Sequence, residues 1–202
     1  MNINFIFQLA ILIISVMAHE VAHGAMAYYF GDPTAKNLGR LTLNPLKHID
    51  FLGSIILPLF LIISGAGFIV GWAKPVPYNP YNLRNRKVGE FCVAIAGVVV
   101  NFLLALFFGL FLRFSFNLGL AVATQNIIGY IVLINLVLTI FNLVPIPPLD
   151  GSKILLSFLP LRYEQSIRSI EKYGIFILIA FIIFLSPVIS IVVEWLFRLI
   201  VG

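Results

Sequence analysis

The chain alternates long apolar runs with short polar stretches. Four runs have the length and continuity of helices that cross a bilayer: Phe5 to about Phe30, Phe91 to Leu112, Leu120 to Val144, and Ile175 to about Val201. Each exceeds the roughly 20 apolar residues a helix needs to span the hydrocarbon core. A fifth run, 51–72, carries Pro58 and, near its middle, Ser64-Gly65-Ala66-Gly67. Breaks of that kind suit a re-entrant segment whose backbone is covered by protein, so 51–72 is expected to be re-entrant or a fifth span. Residues 32–45 (DPTAKNLGRLTLNP) are bounded by Pro33 and Pro45, carry Leu38, Leu41 and Leu43, and include Gly39 at a point where a strand bends. They predict a short extended or β stretch, with an ordinary solvated loop as the alternative. The expected fold class is an all-α polytopic membrane protein of about four transmembrane helices, with these two segments added.

Composition agrees with lipid as the solvent. The chain is 61% hydrophobic and 10% charged, against roughly 25% charged in a soluble domain. The net charge of +5 belongs to basic residues that flank apolar runs, which report membrane orientation and not nucleic-acid binding. The single cysteine, Cys92, excludes an internal disulfide. No Lys or Arg precedes the first run and no small-residue cleavage site follows it, so the run is read as a retained span. Residues 1–202 are read as a single domain.

The basic residues also bear on topology. Lys36, Arg40 and Lys47 lie in 31–50; Lys74, Arg84, Arg86 and Lys87 in 73–88; Lys153, Arg162, Arg168 and Lys172 in 152–173; only Arg113 and Arg198 remain. If 51–72 returns to the face it left, eleven of the 13 basic residues share one face, and the positive-inside rule makes that face cytoplasmic.

At the end of the first run, His19-Glu20-Val21-Ala22-His23 is H-E-x-x-H. Positions i and i+4 share a helix face, so both imidazoles can reach one metal ion, while Glu20 reaches its open position without filling it. Ionisable groups within a span are costly and are by default functional candidates. A catalytic zinc site needs a third protein ligand. Glu90, Glu164 and Glu171 lie in basic stretches, and Glu194 has the spacing of a helical pair with Arg198. Asp150 differs, because it follows NLVPIPPL, where Pro145, Pro147 and Pro148 cannot sustain a helix. Unwound backbone at membrane depth lines a protein-enclosed cavity, and Gly151 frees the chain to turn a carboxylate inward. With 51–72 re-entrant, the span before Asp150 runs parallel to the first and brings it to the depth of the histidines. His48, in NPLKHID, is read as a loop or interface residue.

His19-Glu20-x-x-His23 together with NLVPIPPLDG (142–151) resembles the site-2 protease family of intramembrane zinc metalloproteases. GDPTAKNLGRLTLNPLKHID (31–50), GWAKPVP (71–77) and GVVVN (97–101) resemble segments of its small prokaryotic members, and the likeness covers about residues 10 to 155. It implies one Zn2+ per chain held by His19, His23 and Asp150, with Glu20 as catalytic base. Asn142 matches a family position in the active-site region, where it would donate a hydrogen bond to the substrate carbonyl. Gly97 and Asn101 match a G-x-x-x-N pattern, to be read either as close helix packing with an interhelical hydrogen bond or as a catalytic role for Asn101 at the transition state. The family's larger members carry PDZ-like or nucleotide-sensing modules absent from this sequence, which leaves what they regulate to be done otherwise or by a partner protein. The implied activity is hydrolysis of membrane-protein substrates in or near their transmembrane segments, in a prokaryotic cytoplasmic membrane, with residues 32–45 pairing with the unwound substrate. Two rival readings are a metal transporter, which needs more polar residues along its spans, and an inactive relative that holds membrane partners.

Overall fold

The computed structural model describes residues 3–56, 60, 63, 74–115, 119–159 and 172–202, and among these described residues six bounded α-helices follow one another. They are α1 (Ile3–Tyr29), α2 (Thr34–Asn37), α3 (Arg86–Ser115), α4 (Val122–Leu143), α5 (Asp150–Phe158) and α6 (Gly174–Val201). Four contain stretches long and apolar enough to cross a membrane: Phe7–Tyr29, Arg86–Phe114, Val122–Leu143 and Phe176–Val201. These coincide with the four runs read from the sequence, and the chain is a helical multi-pass membrane protein. Phe107, Phe114, Ile183, Phe184 and Trp195 are exposed on the bundle surface, where acyl chains replace water as solvent.

Helices α1 and α4 run in the same direction. Ser15 of α1 meets Asn135 of α4 (3.0 Å), and further along both chains His23 meets Asp150 (3.0 Å). Helices α3 and α6 run against them. Leu112 of α3, Val132 and Leu136 of α4, and Val193 and Ile200 of α6 share one buried apolar cluster.

Most of 51–72 lies outside the described residues. Its first six residues, Phe51–Ile56, form a single π-helical turn. Its flanks meet: the Lys74 N–H donates to the His48 carbonyl at 2.8 Å. A segment crossing the bilayer once would part its ends by about 30 Å, so both flanks sit on one face of the bundle. Phe30 and Arg84, bonded through their backbones, lie on that face, and so does Lys87, which reaches the Leu159 carbonyl. Arg113, bonded to the Leu199 carbonyl, marks the other face.

Residues 32–45 do not form a strand, which corrects the expectation of an extended stretch. The residues read as strand punctuation are helix punctuation. Pro33 opens α2, where its fixed φ suits the first turn. Gly39, at φ +62°, closes it: the Gly39 N–H bonds the Lys36 carbonyl and the Arg40 N–H the Ala35 carbonyl, the double-bonded helix stop that a left-handed residue permits. The turn is fixed by Asp32, wholly buried, which accepts from the Thr34 N–H (3.2 Å) and hydroxyl, the Asn79 N–H (2.7 Å) and the Asn82 amide (2.8 Å). Burial alone would raise the Asp32 carboxyl; these donors outweigh it and hold it below the usual carboxylate range.

Candidate metal centre

Three helices build the site. Helix α1 presents His19 and His23 one turn apart, and both are buried. As anticipated, α4 stops at Leu143, and the proline-containing segment that follows delivers Asp150 as the first residue of α5. Gly151 is needed there for space: a Cβ would run into the carbonyl oxygens of Leu143 and Val144. Helix α3 lies across the back of the histidines.

The donor atoms converge. His19 Nε2 lies 2.9 Å from Asp150 Oδ2, His23 Nε2 lies 3.0 Å from the same oxygen, and the two Nε2 atoms are 2.9 Å apart. Among the described residues these three form a group able to share one ion. Ligand atoms around tetrahedral zinc stand roughly 3.3 Å apart, so a slight outward movement makes this triangle three of its four corners. Two imidazole nitrogens and a carboxylate oxygen are also the donor chemistry that zinc takes. The residues fit the metal, and the fourth corner is left for water or substrate.

Each donor is held from behind. His23 Nδ1 donates to the Val93 carbonyl (2.6 Å). The ring of His19 lies against Gly97, where a Cβ would come within 2.5–2.6 Å of its Cε1, Nδ1 and Nε2, and its Nδ1 is 3.2 Å from the Asn101 amide nitrogen. Asp150 keeps its second oxygen, Oδ1, on the Lys153 ammonium (3.1 Å). Burial opposes the charge on Asp150, but the adjacent imidazoles and Lys153 outweigh it and hold this carboxyl far below the usual range. Val93, Gly97 and Asn101 are spaced four residues apart and form one stripe of α3.

Glu20 stands beside the triangle and not in it. Its Oε2 accepts from the Val76 N–H at 2.8 Å, so the non-helical segment 74–79 is tied to α1 there, and Oε1 has no such donor among the described residues. Val76 is buried and fills the space over Gly24, where a Cβ would meet Val76 Cγ1 at 2.6 Å.

The structure therefore brings His19, His23, Asp150, Glu20 and Asn101 together. Asn142 lies in the last turn of α4, where one N–H of its amide is given to the Leu138 carbonyl of the same helix (3.0 Å). His48 is buried near Thr42, its Nε2 2.8 Å from the Thr42 carbonyl, and belongs to the loop. Sequence reasoning missed Val93, Val76 and Lys153. Only Lys153 left a signal, its helical i, i+3 spacing from Asp150.

Comparison with known proteins points the same way. The model of Peptidase family M50 matches residues 117–185. The chain is similar to "Putative zinc metalloprotease YwhC" of Bacillus subtilis (strain 168), 38% identical over 182 residues, which cover 87% of this chain and 78% of that protein. It is also similar to "Putative zinc metalloprotease Rip2" of Mycolicibacterium smegmatis, 29% identical over 198 residues, 97% of this chain and 72% of the relative. No solved structure matches the chain.

Proposed function

Because the chain belongs to peptidase family M50, the site-2 type zinc metalloproteases, we propose that His19, His23 and Asp150 hold one zinc ion and that Glu20 is the base in hydrolysis of peptide bonds in or near the transmembrane segments of membrane proteins. The observation that carries this reading is the convergence of three buried donor atoms within 3.0 Å of one another, from residues 127 and 131 positions apart, with a carboxylate next to them. A buried cluster of this kind is costly in a bilayer unless a ligand completes it.

When bound, zinc supplies a Lewis acid that acidifies water and polarises the scissile carbonyl. Glu20 does the proton transfer. With Oε2 fixed by the Val76 N–H, Oε1 takes the proton of the attacking water and returns it to the leaving amine. His19 and His23, both unprotonated at Nε2, and Asp150 at Oδ2 supply the ligand atoms, and Lys153 keeps Asp150 from offering both oxygens at once. Asn142 has a second amide N–H beyond the one given to Leu138, and it is the donor for the substrate carbonyl oxygen.

A substrate helix hides its amides in its own hydrogen bonds, so the segment to be cut must unwind to reach Glu20. Residues 32–45 combine a short helix, a turn and irregular backbone and form no strand, so the strand pairing expected of them is withdrawn. The described parts of the basic loops (31–50, 74–88 and Lys153) and the metal site share one face of the bundle, and we place that face toward the cytoplasm, by the positive-inside rule, in the cytoplasmic membrane.

The test is zinc content of detergent-purified protein together with cleavage of a membrane-protein substrate. About one zinc per chain in wild type and Glu20→Gln, loss in Asp150→Ala, and no cleavage by either variant is the expected outcome. Zinc retained in Asp150→Ala would remove Asp150 from the ligand set; cleavage by Glu20→Gln would remove Glu20 as the base.

A further inference from the structure

Asn101 is fully enclosed, and its side-chain oxygen Oδ1 has no partner among the described residues. Its meaning emerges from following the histidine protons atom by atom. A neutral imidazole has one N–H, so its two nitrogens take opposite roles. His23 Nδ1 faces the Val93 carbonyl at 2.6 Å, and a carbonyl only accepts. The His23 proton is therefore on Nδ1, and its Nε2 lone pair is free toward His19 and Asp150.

His19 shows the reverse. Its Nδ1 faces Asn101 Nδ2 at 3.2 Å, and an amide nitrogen only donates. That contact puts the lone pair on Nδ1 and the proton on Nε2, the atom 2.9 Å from both Asp150 Oδ2 and His23 Nε2. A nitrogen carrying that proton cannot be a metal ligand. With the Asn101 amide in this orientation, the two histidines offer opposite tautomers to one point.

We infer that in the zinc-loaded protein the Asn101 carboxamide is turned by 180°, so that Oδ1 accepts from His19 Nδ1–H and directs the His19 Nε2 lone pair to the metal; Asn101 is the positioning residue of His19. The inference rests on the ligand set proposed above. The two ends of a carboxamide are alike in size, so the turn needs no backbone movement. Nδ2 then takes the place of Oδ1, so one end of the amide lacks a protein partner in either orientation, and what changes is the position of the His19 proton. Gly97, one turn earlier on α3, lets the imidazole lie against the backbone with Nδ1 toward Asn101. His23 needs no such side chain, because a backbone carbonyl sets its tautomer.

An acceptor role separates this reading from an interhelical or substrate-binding donor. Aspartate can replace asparagine as acceptor to Nδ1–H; leucine can replace it only as volume. The experiment is zinc affinity by chelator competition in detergent for wild type, Asn101→Asp, Asn101→Leu and, as site control, His23→Ala. In parallel, 15N NMR of the histidine ring nitrogens is recorded on zinc-loaded wild type. Asn101→Leu should bind zinc about 10- to 100-fold more weakly, Asn101→Asp should bind at least as tightly as wild type, and His19 should carry its proton on Nδ1. Asn101→Asp as weak as Asn101→Leu, unchanged affinity in Asn101→Leu, or a His19 proton on Nε2 in the loaded protein would overturn it. If Asn101→Leu does not fold, Asn101→Asp and the NMR tautomer decide alone. Equal zinc binding by wild type and His23→Ala would instead overturn the ligand set, and this inference with it.

Discussion

The two ends of the bundle are held together by different forces. At the site end, directed polar bonds join segments far apart in sequence: Asp32 to Asn79 and Asn82, Glu20 to Val76, His48 to Lys74 and Phe30 to Arg84. At the other end, Leu112, Val132, Leu136, Val193 and Ile200 pack in one apolar cluster, α6 closes on Gly109 of α3 through Ile200, and the Arg113 bond to the Leu199 carbonyl lies at the exposed rim. Lipid tails are as apolar as leucine, so helices gain little by turning apolar faces away from them, and association there rests on fit. Polar bonds fix atoms to tenths of an ångström, whereas apolar fit fixes helices. A metal site requires the first kind of precision, and that is the end where it lies.

Substitutions can break this contrast, beginning with the most damaging. Gly151→Ala places a methyl against the carbonyls of Leu143 and Val144; Asp150 is displaced, and purified protein should contain no zinc by elemental analysis. Asp32→Ala strands the donors of Thr34, Asn79 and Asn82 and should lower unfolding free energy by about 3 kcal/mol, read by denaturant titration in detergent. The Asp32 carboxyl is depressed in the folded state, so its contribution is present above the unfolded carboxylate value of about 3.9 and is lost as pH falls through the lower, folded value. Wild type should therefore lose melting temperature more steeply than Asp32→Asn on acidification. Parallel curves would remove Asp32 as the joint.

Leu136→Ala, in the apolar half, should cost about 2 kcal/mol, the cavity contribution without the transfer term, and leave zinc content unchanged. Glu194→Gln breaks an exposed pair with Arg198 (2.5 Å) and should move stability by less than about 0.5 kcal/mol. Loss of zinc in either would show that the two ends are coupled.

Much of this was legible in the sequence because it depended on side-chain type and period. The four spans follow from apolar length, and His19, Glu20, His23 and Asp150 from their chemistry and from the prolines before Asp150. The misreading of 32–45 has a definite cause: Pro33 and Gly39 punctuate strands and helices alike, and the deciding contacts to Asp32 come from Asn79 and Asn82, some 50 residues away. Val76 and Val93 were illegible for another reason. Each acts through its backbone, Val76 by an N–H and Val93 by a carbonyl, and every residue other than proline has both groups. Asn101 was visible as a polar residue in a span, but its direction toward His19 depends on the packing of α3 against α1.

The bond between Lys74 and His48 has an entropic consequence. The chain leaves the site end at His48 and is fastened there again at Lys74, and two residues later the Val76 N–H reaches Glu20. The cost of closing the chain over about 25 residues is met at the Lys74–His48 bond, so Val76 approaches Glu20 from a base that is already fixed.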